Sequence, residues 1–183
     1  MHKKYLFCCA IAMSFIISTS AMADFGCAQK IIVHQENYSA MVEVPKNEAC
    51  SDGTYKLTVN VPEQPQQTIP MVRDGTIAQV WMEKLNQEQT PSIIVWSQSA
   101  GSGGIGKLDV FKLDKNNQYV QQEITVPENL KEGHNGHETF SVKDGEIYVA
   151  FPLYKKNDPN CCPTGGTAKF KYDFTQQKWL PTK

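Results

Sequence analysis

Arginine is almost missing from this chain. Of 183 residues only Arg73 carries a guanidinium, and the 18 basic side chains are balanced by 19 acidic ones for a formal net charge of -1. Nucleic-acid binders carry a basic excess with clustered Lys and Arg, so that class is excluded. Beyond the N-terminal segment there is no apolar run near the ~20 residues that a membrane-spanning helix requires. A surplus of charge is lacking too: charged residues are 20% and aromatic ones 10%, which is the balance of a packed chain and not of a disordered, solvated one. A length of 183 residues fits one domain with a sizeable core.

The first 23 residues read as a signal peptide. Lys3 and Lys4 form a basic start, Tyr5 to Ile17 are almost wholly apolar, and Ala21-Met22-Ala23 is an A-x-A cleavage site. Cys8 and Cys9 lie at the start of the apolar run, where a lipid-anchored cysteine would lie at its end. The expectation is export to a periplasm, with cleavage after Ala23 and a single all-β domain over residues 24–183. Loss of two lysines leaves 16 basic against 19 acidic residues, a net charge of -3.

Cleavage also reduces six cysteines to four: Cys27, Cys50, Cys161 and Cys162. In an oxidising compartment an even number favours disulfides, and four cysteines allow three pairings. Cys161 and Cys162 cannot bridge each other without strain, because neighbouring Cα atoms lie about 3.8 Å apart and an unstrained bridge needs at least about 4.4 Å. Cys27 and Cys50 flank a hairpin pattern, KIIVH and YSAMVEV turning at Gln35–Asn37. A local Cys27–Cys50 bond is the first expectation. A crossed arrangement tying both to the Cys161/Cys162 pair is the alternative. His134, His137 and the adjacent cysteines resemble a zinc set only superficially, since structural zinc takes Cys-x2–4-Cys spacing. The H-N-G-H stretch reads instead as a turn whose histidines face solvent or cap a strand, and no metal or cofactor is expected.

Short β-rich runs fill the rest: Lys30–His34, Tyr38–Val44, Thr54–Val61, Thr76–Leu85, Ser92–Trp96, Lys107–Leu113, Tyr119–Val126, Glu138–Val142, Glu146–Phe151, Lys169–Phe174 and Lys178–Leu180. Between them stand S-D-G-T, V-R-D-G-T, D-K-N-N-Q, V-K-D-G-E and P-T-G-G-T, with Gly or Asn where a turn requires positive φ. The polar, proline-bearing Pro62–Pro70 segment reads as a surface connection. The pattern predicts an all-β, antiparallel β-sandwich or barrel-like sandwich. Trp81, Trp96 and Trp179 are expected to pack in it. Asp109, Asp114, Glu123 and Glu138 show no spacing that demands an acid/base pair.

The stretch Ser92–Val110, SIIVWSQSAGSGGIGKLDV, is the most distinctive. A buried strand runs into glycines and a second strand begins. No Gly-Lys-Ser/Thr ending and no helix follow, so it is neither a P-loop nor a dinucleotide fingerprint. Gly101-Ser102-Gly103 lacks the spacing of a nucleophile elbow. An exposed loop offering hydroxyls and backbone N–H groups to a partner is a reading the spacing allows beside a plain hairpin loop. A serine hydrolase using Ser102 with His134 or His137, or an exported binding module of another ligand, are the rival functions.

At this loop the sequence resembles the periplasmic inhibitors of invertebrate-type (i-type) lysozyme. The resemblance rests on I-I-V-W-S-Q-S-A-G-S-G, on G-H-E-T-F-S-V-K-D-G-E-I-Y-V-A-F-P-L-Y-K-K-N-D-P-N and on P-T-G-G-T-A-K-F-K-Y. It implies a β-sandwich that inserts a Ser-Gly-x-Tyr loop into the active-site cleft of a lysozyme-like hydrolase. Ser102 and Gly103 match that motif, Gly104 fills its variable place, and Ile105 departs from its tyrosine. The partner-binding set implied is Ser99, Gly101, Ser102, Gly103, Gly104 and Ile105. A second rim on the Lys155–Thr167 loop would comprise Tyr154, Asp158, Asn160 and Thr164.

Overall fold

The computed structural model describes residues 27, 29–127 and 133–182. The expected signal segment and its cleavage site lie outside them. The described chain forms twelve strands in three four-stranded antiparallel sheets, each built from consecutive strands. Sheet one contains β1 (Gln29–Gln35), β2 (Tyr38–Val44), β3 (Asp52–Asn60) and β4 (Gln67–Asp74). Sheet two contains β5 (Thr76–Glu83), β6 (Ser92–Gln98), β7 (Gly106–Leu113) and β8 (Tyr119–Glu123). Sheet three contains β9 (Thr139–Lys143), β10 (Glu146–Pro152), β11 (Thr167–Asp173) and β12 (Lys178–Pro181). The expected all-β, sandwich-like architecture is present, without a closed barrel and with three layers where a simple sandwich has two.

Side-chain alternation explains the layering, because successive residues of a strand face opposite sides. Ala40, Val42 and Val44 of β2 and Tyr55, Leu57 and Val59 of β3 turn one buried face toward sheet two. Sheet two is apolar on both faces. Ile93, Val95 and Phe111 join the first core, while Ile94, Leu108 and Val110 join a second core with Phe140, Ile147, Val149 and Phe151 of sheet three. That is why Ser92–Val95 is an unbroken buried run and not an alternating one. A bulge between Ile77 and Gln79 restores the phase of β5, so that Ile77 and Val80, three residues apart, both reach the first core. Trp81 and Trp96 are half-buried and stack at 6.4 Å on the second core, and Trp179 is buried there.

The Pro62–Pro70 segment departs from the sequence expectation. From Gln67 onward it is strand, pairing Val59 with Gln67 and Lys56 with Pro70. The strand tolerates proline because β4 is the edge of its sheet, where the missing N–H deprives no neighbour. Ile69 and Met71 pack on the first core from alternate positions. The turn chemistry held: Asp144 (φ 53°) and Gly145 (φ 74°) join Lys143 to Glu146 in a two-residue hairpin with both turn residues at positive φ.

Candidate functional site

The glycine-rich segment is the connection between β6 and β7, closing just past the Gln98–Gly106 pair. Ser99 N–H donates to Ile105 O (2.9 Å), and Ile105 N–H donates back to Ser99 Oγ (2.9 Å). Gly104 N–H reaches Gly101 O at 3.0 Å, and Gln98 Nε2 donates to Gly104 O at 3.2 Å. The Ser99 hydroxyl thus closes the loop. Gly101 and Ser102 stand out in solvent, Gly103 is half-buried, Gly104 is buried at φ 49°, and Ile105 is 57% exposed. Ile105 is one of four large apolar side chains exposed among the described residues, with Ile32, Val72 and Val120.

What fixes this loop comes from residues 133–138, about thirty positions away. His137 N–H donates to Gly103 O (2.7 Å) and to Gly104 O (3.2 Å). Gly136, at φ 93°, lies so close to Gly103 O that a Cβ there would collide with it. Glu138 is 2% exposed, and its Oε2 accepts the Gly106 N–H at 2.9 Å. Its other oxygen lies 2.9 Å from His134 Nε2, whose ring packs at 4.5 Å on Phe151. Burial pushes the Glu138 carboxyl up, but the His134 and Gly106 contacts outweigh it and hold the group below its ordinary value. The histidine expectation is therefore corrected for His134: its side chain is 3% exposed, folded inward over the second core. Glu138 lies four residues after His134 in the sequence, but its contact with Gly106, 32 residues away, leaves no mark in the spacing.

The opposite side of the loop is also braced. Gly75 (φ 82°) alone links β4 to β5, and its Cα presses against Gln98 O, where a Cβ would collide. Arg73 holds that linker. Its guanidinium donates to Gly75 O, to Ala49 O (2.8 Å), to Thr54 O (3.1 Å) and to Cys50 O (3.4 Å), and faces Glu48 at 3.4 Å. Cys50 is bonded to Cys27, with Cα atoms 5.1 Å apart, as the local pairing anticipates. The sole arginine is thus an internal knot beside the disulfide.

The Lys155–Thr167 loop reaches the same place. Asn135 Nδ2 donates to Asn160 Oδ1 (2.9 Å), Tyr154 OH donates to Asn160 O (2.8 Å), and Tyr154 N–H donates to Gly133 O (2.6 Å). Asp158 is spent within its own loop, accepting the Lys155 N–H, the Thr164 N–H and the Thr164 hydroxyl, which keep its carboxyl below the ordinary range. Cys161 and Cys162 are free and exposed on that loop. Among the described residues no group of three His, Cys, Asp or Glu could hold a metal ion. His134 is committed to Glu138 and the His137 ring lies against Gly104, so among the described residues no histidine forms a hydrogen bond with Ser102.

Fold and site together define a layered β-sheet protein that holds out one braced loop between β6 and β7. The chain belongs to the family of periplasmic lysozyme inhibitors of I-type lysozyme (PliI), which matches residues 29–134, more than half of it. Among solved structures it is similar to Aeromonas hydrophila PliI in complex with Meretrix lusoria lysozyme, at 23% identity over 52% of this chain and 80% of that one, with a TM-score of 0.41. Aeromonas PliI on its own gives 21% identity over 51% and 82%, with a TM-score of 0.42. A Xanthomonas type IV secretion system related protein gives 11% over 84% and 93%, with a TM-score of 0.38. No curated protein matches the chain. Among the described residues no helix is long and apolar enough to cross a membrane.

Proposed function

We propose that this protein is a periplasmic inhibitor of an I-type lysozyme, acting through the Ser99–Ile105 loop. Residues 1–23 would serve as its signal peptide, cleaved after Ala23, and residues 24–183 as its one all-β domain. The observation that carries the proposal is the pairing of an exposed tip, Gly101, Ser102 and Ile105, with a base braced on two sides, inside the segment that matches the inhibitor family. A preformed loop loses little conformational entropy on docking. The Ser102 hydroxyl and exposed N–H groups suit the carboxylates of a glycosidase cleft. Ile105 calls for an apolar contact on the cleft wall. A net charge of -3 after cleavage favours encounter with a cationic enzyme. The Tyr154–Asn160 rim, tied to Asn135, would line the same contact.

Titration of purified protein against i-, c- and g-type lysozymes acting on peptidoglycan tests this reading. The expected result is inhibition of the i-type enzyme, weakened at least about tenfold, or ~1.4 kcal/mol, by Ser102→Arg. Absence of inhibition of every class at micromolar concentration sinks it. Labelling of Ser102 by a fluorophosphonate probe would instead favour a hydrolase.

A further inference from the structure

Gly106, where the loop enters β7, stands opposite Gln98 in the β6–β7 ladder, yet its own N–H is taken by a side chain, that of Glu138. We infer that Glu138 is the positioning residue of the Ser99–Ile105 loop: its buried carboxylate fixes the Gly106 N–H and, with the His137 backbone, seats the loop on the 133–138 turn. The inference rests on the reading of that loop as the inhibitory element, and it assigns a role to a residue lying outside the loop.

Four observations converge on Glu138. First, it divides its two oxygens between a distant strand and its own turn, Oε2 to Gly106, 32 residues away, at 2.9 Å and Oε1 to His134 Nε2, four residues away, at 2.9 Å. A buried carboxylate is retained only where such partners offset its desolvation. Second, the site allows no slack. A Cβ on Gly106 would come within 2.9 Å of the Phe140 ring and 3.2 Å of both the Glu138 Cβ and Trp96 Nε1. Third, the loop's other contacts to the turn run through the backbone of the next residue back, His137 N–H to Gly103 O and Gly104 O. Displacing Glu138 therefore moves both anchors together. Fourth, His134 is itself pinned against Phe151, so the carboxylate is oriented from the far side by the second core. Ser99, Gln98 and Gly101 close the loop on itself, while Glu138 and His137 attach it to the body of the protein.

The chemistry distinguishes the conservative replacement from the truncation. A glutamine at this place can accept the Gly106 N–H with its oxygen and donate its amide to a neutral His134 Nε2. Alanine can do neither.

The test uses the protein from Asp24 onward and reads amide exchange and inhibition side by side. In Glu138→Ala, the Gly106 amide should exchange at least about tenfold faster while the amides of Val42, Val95 and Val149 keep their protection, and inhibition of the i-type enzyme should weaken at least about tenfold. Glu138→Gln should restore most of both. In the wild type, the Gly106 amide should show a through-hydrogen-bond coupling to the Glu138 carboxyl carbon, and its chemical shift should follow the titration of that carboxyl in acid. Unchanged Gly106 exchange and inhibition in Glu138→Ala overturn the inference, as does a wild-type Gly106 amide that shows neither coupling nor acid titration. The two wild-type measurements decide the matter if the alanine variant does not fold. Because coupling and exchange need no lysozyme, a wild-type protein that inhibits nothing would defeat the proposed function while leaving Glu138 to be judged separately.

Discussion

At the scale of single residues, the rare groups carry the structure. Arg73 has a fully buried side chain that donates to four carbonyls and faces one carboxylate, so its removal strands the carbonyls of Ala49, Cys50, Thr54 and Gly75 as well as Glu48. Leaving the buried Gly75 carbonyl without its donor costs about 1–3 kcal/mol. Arg73→Met should therefore lower the unfolding free energy by that order in a urea titration, with the midpoint shifted and the slope nearly unchanged. Lysine should rescue little, because one ammonium offers three donors from a single point and cannot span a fork of carbonyls. The scarcity of arginine was plain in the sequence, and so was the D-G turn after it. That the guanidinium turns inward was not, because its partners at Ala49, Cys50 and Thr54 lie some twenty residues upstream. Glu138 hid for the same reason. Its partner Gly106 is 32 residues away, and spacing along a chain says nothing about that contact.

At the scale of elements, strands announced themselves wherever one face was wet and the other dry. Tyr38–Val44 has the bounds its alternation predicts, and Ser92–Trp96, expected as a buried strand, extends only to Gln98. The exception, β4, carries Pro70, which in an interior strand would have cost a ladder hydrogen bond. Local sequence does not reveal whether a strand is an edge, so the segment read as a connection. The same device recurs at Pro181 in β12, the outer strand of sheet three. Prolines on both these borders discourage pairing with a second chain. The loop from Lys155 to Thr164, stapled by Asp158, raises its two thiols into solvent. In the folded protein from Asp24 onward, two thiols per chain should react with an aromatic disulfide reagent, and four after denaturation with reduction. The Cys161 sulfur beside it pushes the Cys162 thiol up, which should slow its reaction near neutral pH.

At the scale of the whole molecule, carboxylates set the acid limit. Glu48, Asp114, Glu138, Glu146, Asp158 and Asp173 are all held below their ordinary values, first by hydrogen bonds from Thr54, Gln118, Lys171, Lys155 and Gln176 at the exposed sites and by His134 and Gly106 against burial at Glu138. Lowered values mean that the unfolded chain binds more protons in acid, so the stabilisation is complete above the ordinary carboxylate range and is lost as pH falls through the depressed values. Thermal unfolding midpoints should be nearly flat from pH 7 to about 5 and should drop steeply below about 4. A midpoint that rises on acidification would contradict these contacts. Each of the three sheets is completed by four strands in unbroken chain order. Among the described residues no hydrogen-bonded ladder waits for a strand that has yet to emerge, so a chain emerging N-terminus first can finish one layer before the next arrives. Sheet two is the layer that needs both neighbours, since its two faces are greasy, and it is synthesised between them. Its outer face, and with it the seat of the Ser99–Ile105 loop, is dry only when the last sheet has docked, which makes the loop's final shape a late product of folding.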